Sequence, residues 1–72
     1  MDRVSILDED ARVKEGHALP AGTNAFRYAN KLVKQARRDG VSQSYLIELE
    51  GRRPLRVTEG EVRALADMAG DE

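Results

Sequence analysis

Residues Ala36–Leu55 read ARRDGVSQSYLIELEGRRPL, and the folding of this stretch decides what kind of molecule the chain makes. Two readings share every residue. As a helix, Ser42 is the N-cap, and Val41, Tyr45, Leu46 and Leu49 fall within roughly 140° of one another at about 100° per residue. Gln43, Ser44, Ile47 and Glu48 then point outward, Gly51 ends the helix and Pro54 prevents its resumption. As a hairpin, Tyr45, Ile47 and Leu49 alternate with Leu46, Glu48 and Glu50 around a Gly51-Arg52-Arg53 loop. Leu49 then faces Leu55, Ile47 faces Val57, and Glu48 pairs with Arg56 on the wet side. Pattern alone leaves the two readings tied.

The flanking segments are plainer. Thr23 or Asn24 caps a helix in which Phe26, Ala29, Leu32, Val33 and Ala36 recur at three- and four-residue steps. Gly40 supplies the left-handed residue that closes it, followed by the apolar Val41. On the opposite side Arg27, Lys31, Lys34 and Arg38 fall at i, i+4, i+7 and i+11, one basic stripe. Thr58-Glu59-Gly60-Glu61 has the form of a capping box. Val62, Leu65, Ala66 and Ala69 follow as the apolar face of a short helix, and Gly70 closes it. Ahead of these, Arg3–Leu7 alternates like a strand, with Val4 and Ile6 on one face. Residues 11–22 (ARVKEGHALPAG) show no sustained period and read as loop, with a short helix around Asp10–Glu15 as the alternative.

Seventy-two residues make a single small domain: an N-terminal strand and loop arm over 1–22 and a helical, candidate DNA-binding core over 23–72. A chain this short buries only about 60% of its unfolded surface. It has no cysteine and one histidine, so disulfide and thiolate-metal staples are excluded and no metal or cofactor is expected. A homodimer is the remaining common way to stabilise so small a core. No apolar run is long enough for a membrane span or a signal-peptide core, so a soluble, cytoplasmic protein with no membrane partner is expected. Charge is segregated: residues 1–23 carry −2, residues 24–56 carry +5, and residues 57–72 carry −4. A basic middle can mark a nucleic-acid site or a solvated face. His17 stands near Glu15 without an evident nucleophile, and the glycines match no phosphate-binding loop, so no catalytic residue is assigned and the chain is not expected to be an enzyme.

The run Ala36, Gly40, Val41, Ser42, Ser44, Tyr45, Leu46, Leu49 and Glu50, then Gly51-Arg52-Arg53-Pro54-Leu55, resembles the helix-turn-helix of the Cro-like phage repressor and antitoxin family. The likeness covers about residues 30–70 and departs at Asp39, at Ile47 and in a one-residue deletion before Gly51. It implies a mostly α fold: a small helix-turn-helix domain with a short N-terminal strand or extended arm. It also implies a dimeric regulator of transcription whose recognition helix, residues 42–50, reads double-stranded DNA. Gln43, Ser44 and Ile47 would lie nearest base edges, and Arg37, Arg38, Arg52, Arg53, Lys34 and Lys31 would hold phosphates. The alternative is an α+β protein, strand–helix–hairpin–helix, of the small phage- or plasmid-type accessory kind. Its basic surface would meet and modulate an acidic partner protein.

Overall fold

In a computed structural model, residues 2–68 are described. The chain runs β1 (Arg3–Leu7), β2 (Val13–Ala18), α1 (Ala25–Asp39), β3 (Ser44–Glu48), β4 (Leu55–Val57) and α2 (Glu59–Met68). The strands form one sheet in the order β2-β1-β3-β4, with every neighbouring pair antiparallel. Both helices cover one face. Val4, Ile6, Tyr45, Ile47 and Val57 rise from the sheet to meet Ala25, Ala29, Val33 and Val62 from the helices. The opposite face carries Arg3, Ser5, Leu46, Glu48 and Arg56, as the alternation of side chains along paired strands requires.

The mostly α expectation is therefore overturned: 37% of the described residues are helical and 28% lie in strands. No recognition helix exists at 42–50. Ser42 and Gln43 are loop, and Ser44–Glu48 is β3, hydrogen-bonded to β1 on one side and β4 on the other. Period explains the outcome. Tyr45 and Ile47 alternate with polar or half-exposed neighbours and are both 0% exposed. A helix would have turned Ile47 to water, and fully burying such a side chain is worth about 1.5–3 kcal/mol.

The hairpin alternative was right in kind but displaced by two residues. Ile47 faces Leu55, Leu46 faces Arg56 and Tyr45 faces Val57. Two local bonds take Leu49 and Glu50 out of the ladder. The Arg52 N–H donates to the Leu49 carbonyl at 3.0 Å, closing a turn with Gly51 at φ 77, and the Glu50 N–H donates to Asp2 Oδ1 at 3.0 Å.

The N-terminal arm is corrected as well. β1 is a central strand of the sheet, and Val13–Ala18, expected as loop or short helix, is its partner β2. The hairpin between them closes over Asp8–Arg12. The Asp8 N–H donates to the Arg12 carbonyl at 2.9 Å, and Asp8 Oδ1 accepts from the N–H groups of Asp10 and Arg12, both at 2.9 Å. Ala11 takes the left-handed position that such a three-residue loop requires, at φ 62.

The two helix assignments hold. Asn24 caps α1, its Oδ1 accepting from the N–H groups of Phe26 (2.9 Å) and Arg27 (3.2 Å). At the far end Gly40 stands at φ 70. Its N–H bonds the Arg37 carbonyl while the Val41 N–H bonds the Ala36 carbonyl, the paired bonds of a Schellman motif. At α2 the Thr58 N–H donates to Glu61 Oε1 at 3.1 Å and the Glu61 N–H returns to Thr58 Oγ1 at 3.4 Å, the capping box read from the sequence. Ala69 and Gly70 lie outside the described residues.

Candidate binding face on the first helix

Helix α1 buries Ala25, Ala29, Val33 and Ala36 against the sheet and α2. At about 100° per residue these four cluster on one side, and Arg27, Lys31, Lys34 and Arg38 cluster diametrically opposite, all exposed. At 1.5 Å per residue the row is about 16 Å long. No acidic residue occurs from 25 to 38. Between the row and the loop that precedes the helix lies a shallow polar depression lined by Thr23, Asn24, Arg27, Asn30, Lys31 and Lys34. Bonded caps at both ends hold the helix in place, so the four cations share one scaffold.

The other basic residues expected to hold phosphates are not gathered at one end of the row. β3 runs back across the sheet after α1, so the chain reaches Arg52 and Arg53 at the opposite end from Arg37 and Arg38. Arg37 lies on the flank of α1 rather than in the row. Of the residues expected to touch bases, Ile47 is inside the core and is corrected outright. Ser44 is half-buried in β3 opposite Leu7. Gln43 is half-buried, its Nε2 donating to the Tyr45 hydroxyl at 3.0 Å. That contact supports a buried phenol. Burial pushes the Tyr45 pKa above its ordinary 10.0; the Gln43 hydrogen bond opposes the rise and the charge of Glu59 adds to it.

One side-chain cluster was not read from the sequence because it needs β2 to be a strand. His17 and Glu15, two residues apart on β2, stand on the helix side of the sheet. The Tyr28 hydroxyl lies 3.1 Å from His17 Nδ1, and the two rings sit 5.6 Å apart in a tilted contact. Glu15 Oε1 lies 3.2 Å from His17 Nε2 without hydrogen-bond alignment. The sequence signal, H and E at i and i+2, exists but is too common to assign alone.

Among the described residues no group of acidic, histidine or cysteine side chains is placed to hold a metal. No helix among them is long and apolar enough to cross a membrane. Comparison of the chain with protein-family models, with curated proteins and with solved structures gives no match.

Proposed function

We propose that this chain is a cytoplasmic, non-catalytic binding module that engages an acidic surface on a partner protein through the outer face of α1. One observation carries the reading: four cations stand in a single row, opposite the buried row, on a helix capped at both ends. Local charge of this kind speeds encounter and selects partners more than it adds affinity.

Two features favour a protein over duplex DNA. A row about 16 Å long presents four cations, whereas proteins held on DNA by charge commonly neutralise six to ten phosphates. Acidic side chains also crowd the end of the sheet where α1 finishes: Asp8, Glu9 and Asp10 in the first turn, and Glu59 and Glu61 at the start of α2. With the net charge at −1, an extended polyanion meets repulsion beyond the row, while a local acidic patch does not.

The test uses fluorescence anisotropy with two probes, a Glu-rich helical peptide and a random 20-base-pair duplex. Stronger binding of the peptide, weakened at least fivefold by Lys31→Ala with Lys34→Ala, is the expected result. Tighter binding of the duplex, with affinity falling steeply with salt, assigns the face to nucleic acid instead. Equal binding of the double variant and the parent overturns the role of α1.

A further inference from the structure

We propose that two copies of this chain associate through β2, antiparallel and with Gly16 on the two-fold axis, joining their sheets into one of eight strands.

The backbone sets the register. The Leu19 N–H donates to the Asp2 carbonyl at 3.0 Å, so Asp2 and Leu19 form a pair that bonds directly across the β1–β2 ladder. Bonded and non-bonded pairs alternate along antiparallel strands. Val4–His17 and Ile6–Glu15 are therefore bonded pairs, while Gly16 and Ala18 turn their N–H and C=O groups away from β1, to the open edge. A second β2 meets those groups in register when Gly16 faces Gly16 of the other copy, because each can then both donate and accept.

Side-chain chemistry selects the same register. With Gly16 on the axis, Glu15 of each copy lies opposite His17 of the other, in the closely spaced non-bonded pairs where cross-strand partners interact most. The pairing occurs twice. Glu15 is 61% exposed and can turn to the second chain, and His17 Nε2, enclosed beside that Glu15 in the single chain, has no aligned hydrogen bond there. On the other face Gly16 contributes no side chain, and Arg3 of its own chain lies over it, 3.5 Å from where a Cβ would stand. An irregularity between Ile6 and Leu7, where Lys14 is the extra residue, limits the shared ladder to Glu15–His17 of each copy, because Ala18 would stand opposite Lys14 of the other. Val13, 60% exposed, stands beyond it. The contact is accordingly small, and association should depend on concentration.

Sedimentation equilibrium from about 10 μM to 1 mM tests this on the full chain. The parent is expected to dimerise across that range. Gly16→Pro removes only an N–H that faces away from β1, which an edge strand tolerates, and is expected to raise the dissociation constant at least tenfold with an unchanged circular dichroism spectrum. Because the chain has no cysteine, Gly16→Cys gives a second, independent reading. A short bismaleimide should link it into dimers, whereas Arg56→Cys on the opposite edge should stay single. A parent that is monomeric at 1 mM, a folded Gly16→Pro variant that still dimerises, or equal cross-linking at the two edges overturns the proposal. A monomeric parent whose β2 amides shift on adding a Thr-Val peptide gives the edge to a foreign strand instead of a second copy.

Discussion

The sheet has two edges, and they are finished differently. At β4 the strand is three residues long and the positions facing outward are nearly all spent. Leu55 and Val57 bond back to β3, leaving Pro54, Arg56 and Thr58 turned to the edge. Pro54 has no N–H, and that of Thr58 is held by the Glu61 carboxylate. At β2 the strand is six residues long, and Gly16 and Ala18 offer complete outward pairs of groups. Short edges, proline and covering contacts are the usual protections against strand addition. β4 has all three; β2 has a bulge and two charged side chains. The difference teaches that exposure of a strand is not the same as availability, and that availability here is confined to one side.

The comparison depends on β3 being the strand that carries β4, so the largest expected effect is at Ile47. Replacing it with Ser removes apolar burial and leaves a hydroxyl in the core, which should cost on the order of 2–4 kcal/mol. A urea melt beside the parent measures it. A midpoint unchanged from the parent would place Ile47 in water and dissolve both edges as described.

An alkaline titration reaches the same side of the sheet. The Tyr45 phenol is buried opposite Val57 and its pKa is raised, so the folded state holds that proton more tightly than the unfolded chain does. Its contribution to stability is complete below the ordinary value of 10.0 and is lost as pH rises through the raised value. Melts at stepped pH should show stability falling above about pH 10, with a smaller fall in Tyr45→Phe. Identical curves would mean that ionised Tyr45 is tolerated in place.

The protection of β4 can be removed directly. Glu61→Ala with Pro54→Thr frees the Thr58 N–H and restores a donor at residue 54. The stability cost from the lost capping box should be about 0.3–1.5 kcal/mol. An added Arg56→Cys should then be cross-linked into dimers by a short bismaleimide in this variant, where the same cysteine in the parent stays single. If β4 stays single, its shortness alone protects it.

The smallest effect is at the two turns. The β3–β4 turn has Gly51 at its left-handed position, but the β1–β2 turn puts Ala11 there, at φ 62. Ala11→Gly relieves about 1–2 kcal/mol of left-handed strain and returns about 0.4–1 kcal/mol as freedom of the unfolded chain. A net gain of about 0.5 kcal/mol in a denaturant melt is expected. A loss would show that Ala11 is unstrained.

The same contrast explains what could be read from the sequence. Both helices and their caps were legible because their determinants are local: Asn24 with Phe26 and Arg27, Gly40 with Ala36 and Arg37, Thr58 with Glu61. The basic row was legible for the same reason. β2 was not, since Val13-Lys14-Glu15-Gly16-His17-Ala18 has no apolar alternation; its ladder to β1 holds it. Ser42–Val57 was balanced locally, because Ser42, Gly51 and Pro54 serve a capped helix as well as a turn. A partner distant in sequence decided it: Val4 and Ile6 stand opposite Ile47 and Tyr45. Arg37 and Arg38 are not brought beside Arg52 and Arg53, since a strand carries the chain the length of the sheet between Arg38 and Arg52.

The central claim is that residues 44–48 form a strand beside β1, and nuclear Overhauser spectroscopy tests it most directly. Val4–His17 and Ile6–Glu15 are bonded pairs, so on the β3 side Val4–Ile47 and Ile6–Tyr45 are the closely spaced, non-bonded pairs. Strong contacts between the α-protons of Val4 and Ile47, and of Ile6 and Tyr45, are the expected result. A series of contacts from each α-proton to the amide three residues on, running from Ser42 to Glu50 without those cross-strand contacts, would contradict the account.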